Sequence, residues 1–159
     1  MTLPVNTAID VFSSLGHDQL HGTGAIAAIE SLGWSAISTA GIQQWVNDEN
    51  AKEGSVTIIG TLSGPGVAGS YIDLYARPMD VLGGAENDNE PSDKYKKPLV
   101  GSFLMEVDAT AQQITIDIPL KNWKDSSKYD FYINNKTGLQ LNAAWELWIA
   151  PKGTGPVPA

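Results

Sequence analysis

The segment Asp80–Asp93 (DVLGGAENDNEPSD) brings five carboxylates, Asp80, Glu86, Asp88, Glu90 and Asp93, into one stretch of chain. Calcium takes oxygen ligands from closely spaced acids of this kind. The glycine and the distal glutamate of an EF-hand loop are misplaced, so the segment reads as a solvated acidic loop and not as a metal site. His17 and His21 lie four apart with Asp18 between them, the helical spacing for two imidazoles on one metal. Gly16 and Gly22 flank the pair and argue against a helix, and no HExxH arrangement supplies a third ligand. No metal is expected at either place.

Nucleophilic chemistry finds no footing. No serine sits in a Gly-x-Ser-x-Gly elbow, and neither histidine is placed as its base. Gly60–Gly69 lacks the Gly-Lys-Ser/Thr ending of a phosphate-binding loop. Two acids from distant strands can form a glycosidase pair, but with 18 acidic residues that is a matter of numbers and no signal. The expectation is a protein without catalytic residues or cofactor. Asn135-Lys136-Thr137 matches a glycosylation sequon, yet Gly138 follows it and the segment reads as a turn.

The aromatic residues Trp123, Tyr129, Tyr132, Trp145 and Trp148 have two readings. They form a sugar-stacking platform, as in a carbohydrate-binding β-sandwich, or they divide between core and intersubunit anchors. Alternation along Gln140–Ala150 sets Trp145, Leu147 and Ile149 opposite Ala144, Glu146 and Trp148. With one tryptophan in the core, the other faces outward and needs a cover, which favours assembly.

Chain length and charge bound the rest. The 159 residues suit one domain, able to bury about 68–70% of its unfolded surface without staples. There is no cysteine, hence no disulfide. A formal net charge of −8 opposes binding to a phosphate backbone, and Lys94, Lys96 and Lys97 read as a solvated loop. The start, Met1–Asn6, carries no basic or long apolar stretch of a secretory signal. No apolar run reaches the roughly 18–20 residues of a membrane helix. Synthesis in the cytoplasm, with no membrane or nucleic-acid partner, is the expectation.

Six strands follow from residue 55 onward: Val56–Leu62, Gly69–Arg77, Leu99–Val107, Gln113–Ile118, Tyr129–Asn134 and Gln140–Ala150. Ser63-Gly64-Pro65-Gly66 closes the first of them. Ala25–Ser38 suggests two short strands around Ser31–Gly33, and Gly41–Val46 either a helical turn or a strand entry. This succession predicts an all-β protein, an antiparallel sandwich or jelly roll. Residues 1–24 are expected to form an arm, residues 25–150 the sandwich, and residues 151–159 an extended tail. Three prolines are expected to bar that tail from a regular ladder. The arm's Leu3, Val5, Ile9 and Phe12 have little to bury against on their own. Together with Trp145, Trp148, Pro151 and Pro156 they are the expected contact residues.

The order of these blocks has a counterpart. Tyr71–Pro78 (YIDLYARP) is followed by a Gly/Asn/Asp loop at Gly83–Asp93, then by Leu99–Phe103 (LVGSF) and Ile116–Leu120 (IDIPL). Tyr129–Gly138 (YDFYINNKTG) and an apolar closing strand complete it. Over roughly Ser55–Pro151 the chain resembles small β-sandwich virion structural proteins of tailed bacteriophages. The resemblance implies a non-enzymatic component of the virion. Its role would be a capsid decoration or cement protein bridging capsomers. The implied partners are the major capsid protein and copies of itself, in a homotrimer. A tail, collar or head–tail adaptor subunit is the alternative within the virion, and a carbohydrate-binding module the alternative outside it.

Overall fold

A computed structural model describes residues 11–14, 18–21, 27–35, 45–47, 51–78, 98–120 and 128–155. Among them the chain forms nine strands: β1 (Val11–Ser14), β2 (Asp18–His21), β3 (Trp45–Val46), β4 (Glu53–Thr61), β5 (Tyr71–Pro78), β6 (Leu99–Leu104), β7 (Ala111–Pro119), β8 (Lys128–Asn135) and β9 (Glu146–Gly155). They make two antiparallel sheets. In the first, β4 lies between β7 and β9, and β9 carries both β1 and β2 on its far side. The second runs β3-β8-β5-β6. The all-β sandwich expected from the alternation is the fold observed.

Period-two patterning explains which side chains fill the space between the sheets. Val56 and Ile58 of β4, Leu147 and Ile149 of β9 and Ile118 of β7 point inward from the first sheet. Ile72 and Leu74 of β5, Phe103 of β6, and Phe131 and Ile133 of β8 meet them from the second. At one side, the indole N–H of Trp45 on β3 donates to Asp18 Oδ2 on β2 at 2.9 Å, a hydrogen bond from sheet to sheet. At the other side β6 meets β7 through Gly101, where a Cβ would stand 2.5 Å from Ile116 Cδ1.

The tail expectation is corrected. Pro151–Gly155 continue β9, with Pro151 opposite Gly54 of β4 and Lys152–Gly155 opposite Ser14–Val11 of β1. Proline breaks a ladder only where its missing N–H is needed. Pro151 falls between the registers of β2, which ends at Ile149, and of β1, which begins at Lys152. The other two prolines, Pro156 and Pro158, come after the strand. Residues 11–14 and 18–21, expected in the arm, are likewise strands of the first sheet.

Three further expectations change in detail. The strand drawn over Leu99–Val107 stops at Leu104, and the one over Gln140–Ala150 starts at Glu146. Leu141 makes only isolated bridges, to Ile29 and Leu62. The two short strands around Ser31–Gly33 are single bridges, Ile29 to Leu141 and Trp34 to Asn134, either side of a turn in which Leu32 takes a φ of 62°. Gly41–Gln44 lie outside the described residues, while Trp45 and Val46 enter the sheet as β3.

Candidate functional site

The outward face of the second sheet departs from simple alternation. Every residue from Ile72 to Arg77 on β5, and from Tyr129 to Asn135 on β8, is buried, so both faces of these strands are covered. The outward positions hold Asp73, Tyr75 and Arg77 on β5, with Asn134, Tyr132 and Asp130 directly opposite them on β8. Arg77 and Asp130 pair at 2.6 Å, and the Arg77 guanidinium lies 5.4 Å from the centre of the Tyr132 ring. Ser102 Oγ donates to Asp73 Oδ1 at 2.5 Å, and Tyr75 OH donates weakly to its other oxygen at 3.4 Å. Trp34 stacks at a tilt on Tyr75, with centroids 4.8 Å apart. Buried charge survives only when paired and hydrogen-bonded. This layer pairs its buried charges across β5, β8 and β6.

Next to it the surface is apolar. Tyr71 and Leu104, directly opposite on β5 and β6, are 39% and 63% exposed. Val67 and Val107, 59% and 54% exposed, sit on two turns that are bonded together. Gly66 N–H donates to Ala109 O, Asp108 N–H to Gly66 O and Met105 N–H to Ser70 O. Gly66 is needed there, since a Cβ would fall 2.1 Å from Glu106 O. β6 is also a sheet edge: its ladder is to β5, and among the described residues no strand pairs with its other side. An apolar patch on an open strand edge is what a docking surface offers and what an isolated protein avoids.

The expected contact residues divide. Trp145 is fully buried, and its indole N–H donates to Ala27 O at 3.2 Å; it is core, a correction to its expected place in an interface. Pro151 is buried within the first sheet and is corrected in the same way. Trp148 is half-buried on the outer face of β9, its N–H donating to Glu146 Oε2 at 2.8 Å. Phe12 belongs to β1, and Leu3, Val5, Ile9 and Pro156 lie outside the described residues. So do Trp123 and the carboxylates of the acidic loop. Tyr129 and Tyr132 are buried, so the five aromatics make no common outward platform.

Sequence reading missed the exposed Tyr71–Leu104 pair. Their alternation was visible, but their juxtaposition depends on the register of β5 and β6. It also missed the outer row on the first sheet, where Asp117 accepts from Ser55 Oγ at 2.6 Å and from Lys152 Nζ at 2.7 Å. The hydrogen bond from Lys152, and then that from Ser55, hold the Asp117 carboxyl below its ordinary range.

No family model matches the chain, and no curated protein matches it. Among solved structures it is similar to a carbohydrate-binding module from Cellvibrio mixtus lichenase 5A in complex with cellotriose. The identity is 17% over 93% of this chain and 95% of that one, with a TM-score of 0.36. A likeness of that size carries no argument about ligand; the sandwich rests on the strands described above.

Proposed function

We propose that this chain is a non-enzymatic structural protein of a tailed-phage virion, a decoration or cement subunit that docks on the head and bridges neighbouring capsomers. The observation that carries this reading is the exposed apolar group Val67, Tyr71, Leu104 and Val107 beside the edge of β6, which is unpaired among the described residues. Burying such a group removes apolar area from water, worth roughly 25 cal/mol per Å² before the costs of association. Strand-edge addition supplies backbone hydrogen bonds at the same place. On the same outer face, the buried Arg77–Asp130 pair ties β5 to β8 beside the patch. The order of sequence blocks in the phage virion proteins supports the same reading.

The test is binding to expanded heads that lack the protein, followed by co-sedimentation and cryo-electron microscopy. The wild-type chain should occupy the heads in many copies. Tyr71→Ser with Leu104→Ser should keep the melting temperature and weaken binding by at least tenfold. Equal binding by that double variant, or absence of the protein from native particles, would remove the reading.

A further inference from the structure

We propose that a groove on the first sheet, flanked by Trp148, binds a neutral oligosaccharide. The groove, of about 360 Å³, has Ile59–Thr61 of β4 as its floor. Glu106 and Gln113 stand on one wall, Ala143, Ala144 and Glu146 on the other. Its size is within the roughly 300–1,000 Å³ of small-molecule clefts.

Both walls are fixed in place. Gln112, 3% exposed, accepts from Glu106 N–H at 2.8 Å and donates to Ala109 O at 2.7 Å, which holds the turn carrying Glu106. On the other side Asn142 N–H donates to Thr61 O at 2.8 Å, and the buried Trp145 anchors the loop to Ala27. Between them Ala144 takes a φ of 63°, a left-handed conformation that costs energy in a residue with a Cβ. Ala143 and Ala144 put only two methyl groups on this wall.

Trp148 follows Glu146 by two residues on the same face of β9, and its indole N–H is bonded to the carboxylate that lines the groove. The ring is thus pinned beside the opening. Its cross-strand neighbours are Thr57 on β4 and Gln19 on β2. Apart from the exposed Ile59 on the groove floor, the neighbouring part of this face is polar: Thr57 bonds Thr115 at 2.8 Å and Ser55 bonds Asp117. Trp148, half-buried, stands among hydroxyls, amides and carboxylates beside the exposed Ile59, a mixed surface that suits a sugar. One face of a pyranose is C–H and packs on the indole, while its hydroxyls meet Glu146, Gln113 and Thr61. Glu106 and Glu146, in a chain of net charge −8, turn away uronates, sulfates and phosphates. The inference does not rest on the virion reading, since neither Trp148 nor Glu146 belongs to the β5–β6 edge.

Isothermal titration of the full chain with cellohexaose, xylohexaose, maltohexaose and chitohexaose, and with hexagalacturonate as the anionic control, tests it. At least one neutral hexasaccharide should bind with a Kd of roughly micromolar to millimolar, and hexagalacturonate should not. Trp148→Ala should weaken that binding more than tenfold, while Trp148→Phe keeps it within a few-fold. Ala143→Trp adds bulk to the groove from an exposed position and should abolish binding in a chain of unchanged melting temperature. No heat from any neutral hexasaccharide at millimolar concentration overturns the proposal. Binding that survives Ala143→Trp, or that is equal for hexagalacturonate, overturns it as well.

Discussion

Arg77 on β5 and Asp130 on β8 are directly opposite in register, 2.6 Å apart, with both side chains out of solvent. Removing one member of such a pair leaves the other charge buried without its partner, which costs about 3–5 kcal/mol. Arg77→Met and Asp130→Asn should each lower the urea midpoint accordingly. The double variant Arg77→Met with Asp130→Leu should recover much of the loss. A single variant within 1 kcal/mol of wild type, a figure typical of exposed pairs, would show that the pair is hydrated in solution.

Asn135 closes β8 and satisfies the chain around it. Its Nδ2 donates to Ile29 O at 3.0 Å and Leu139 O at 2.7 Å, and its Oδ1 accepts from Thr137 N–H at 3.1 Å and Thr137 Oγ1 at 2.7 Å. Buried acceptors that lose their donor cost about 1–3 kcal/mol each. Asn135→Ala should therefore cost at least about 3 kcal/mol, and Thr137→Ser, which keeps the hydroxyl, far less. Equal effects of the two in thermal unfolding would contradict the bonding pattern. The sequon is a structural turn: its asparagine is fully buried, and Gly138 supplies a φ of 79°.

The C-terminal half of β9 belongs to the sheet. Ending the chain at Ala150 removes partners of Glu53 and Gly54 on β4 and of all of β1. The truncated protein should lose on the order of 3 kcal/mol or more, a large share of a typical domain's stability. An unchanged melting temperature would mean that β1 and the end of β9 contribute nothing to the fold.

Gly66 and Gly64 give a paired test of the docking turns. Gly66→Ala drives a Cβ into backbone at Glu106 and should cost more than about 2 kcal/mol while weakening head binding. At Gly64 the nearest atom is Leu139 Cδ2 at 3.6 Å, ordinary contact, so Gly64→Ala should be nearly neutral. A tolerated Gly66→Ala would show that the two turns separate easily.

Asp117 makes a small contribution to stability that depends on pH. Its folded pKa is lowered, chiefly by Lys152, so the contribution is present above the unfolded value and fades as pH falls through the folded one. The carboxylate is exposed, which limits the effect to under about 1 kcal/mol. The stability gap between wild type and Asp117→Asn should be largest near neutral pH and shrink below about pH 4. It should also shrink in 1 M salt. A gap that widens on acidification would reverse the sign.

What the amino-acid sequence determined by itself is local. Period-two runs such as Ile114–Ile118 and Trp145–Ile149 identify strands and their inner faces, because alternation of side chains is a property of one extended segment. Gly and Pro clusters such as Ser63–Gly66 mark where those segments end. The absence of a nucleophile elbow or phosphate loop is legible in the same way. Register, pairing and cover are not local. Only the tertiary structure set Arg77 against Asp130, buried both faces of β5 and β8, and brought Tyr71 beside Leu104. It alone carried Pro151–Gly155 into a ladder, because a proline's tolerance depends on whether its neighbour in space needs the missing N–H. That Trp145 and Trp148 take opposite faces was readable from their spacing, but which of them enters the core was decided by the packing of the two sheets. The groove beside Trp148 was not readable, since its floor and walls come from β4, the β6–β7 turn and the loop before β9, far apart in sequence.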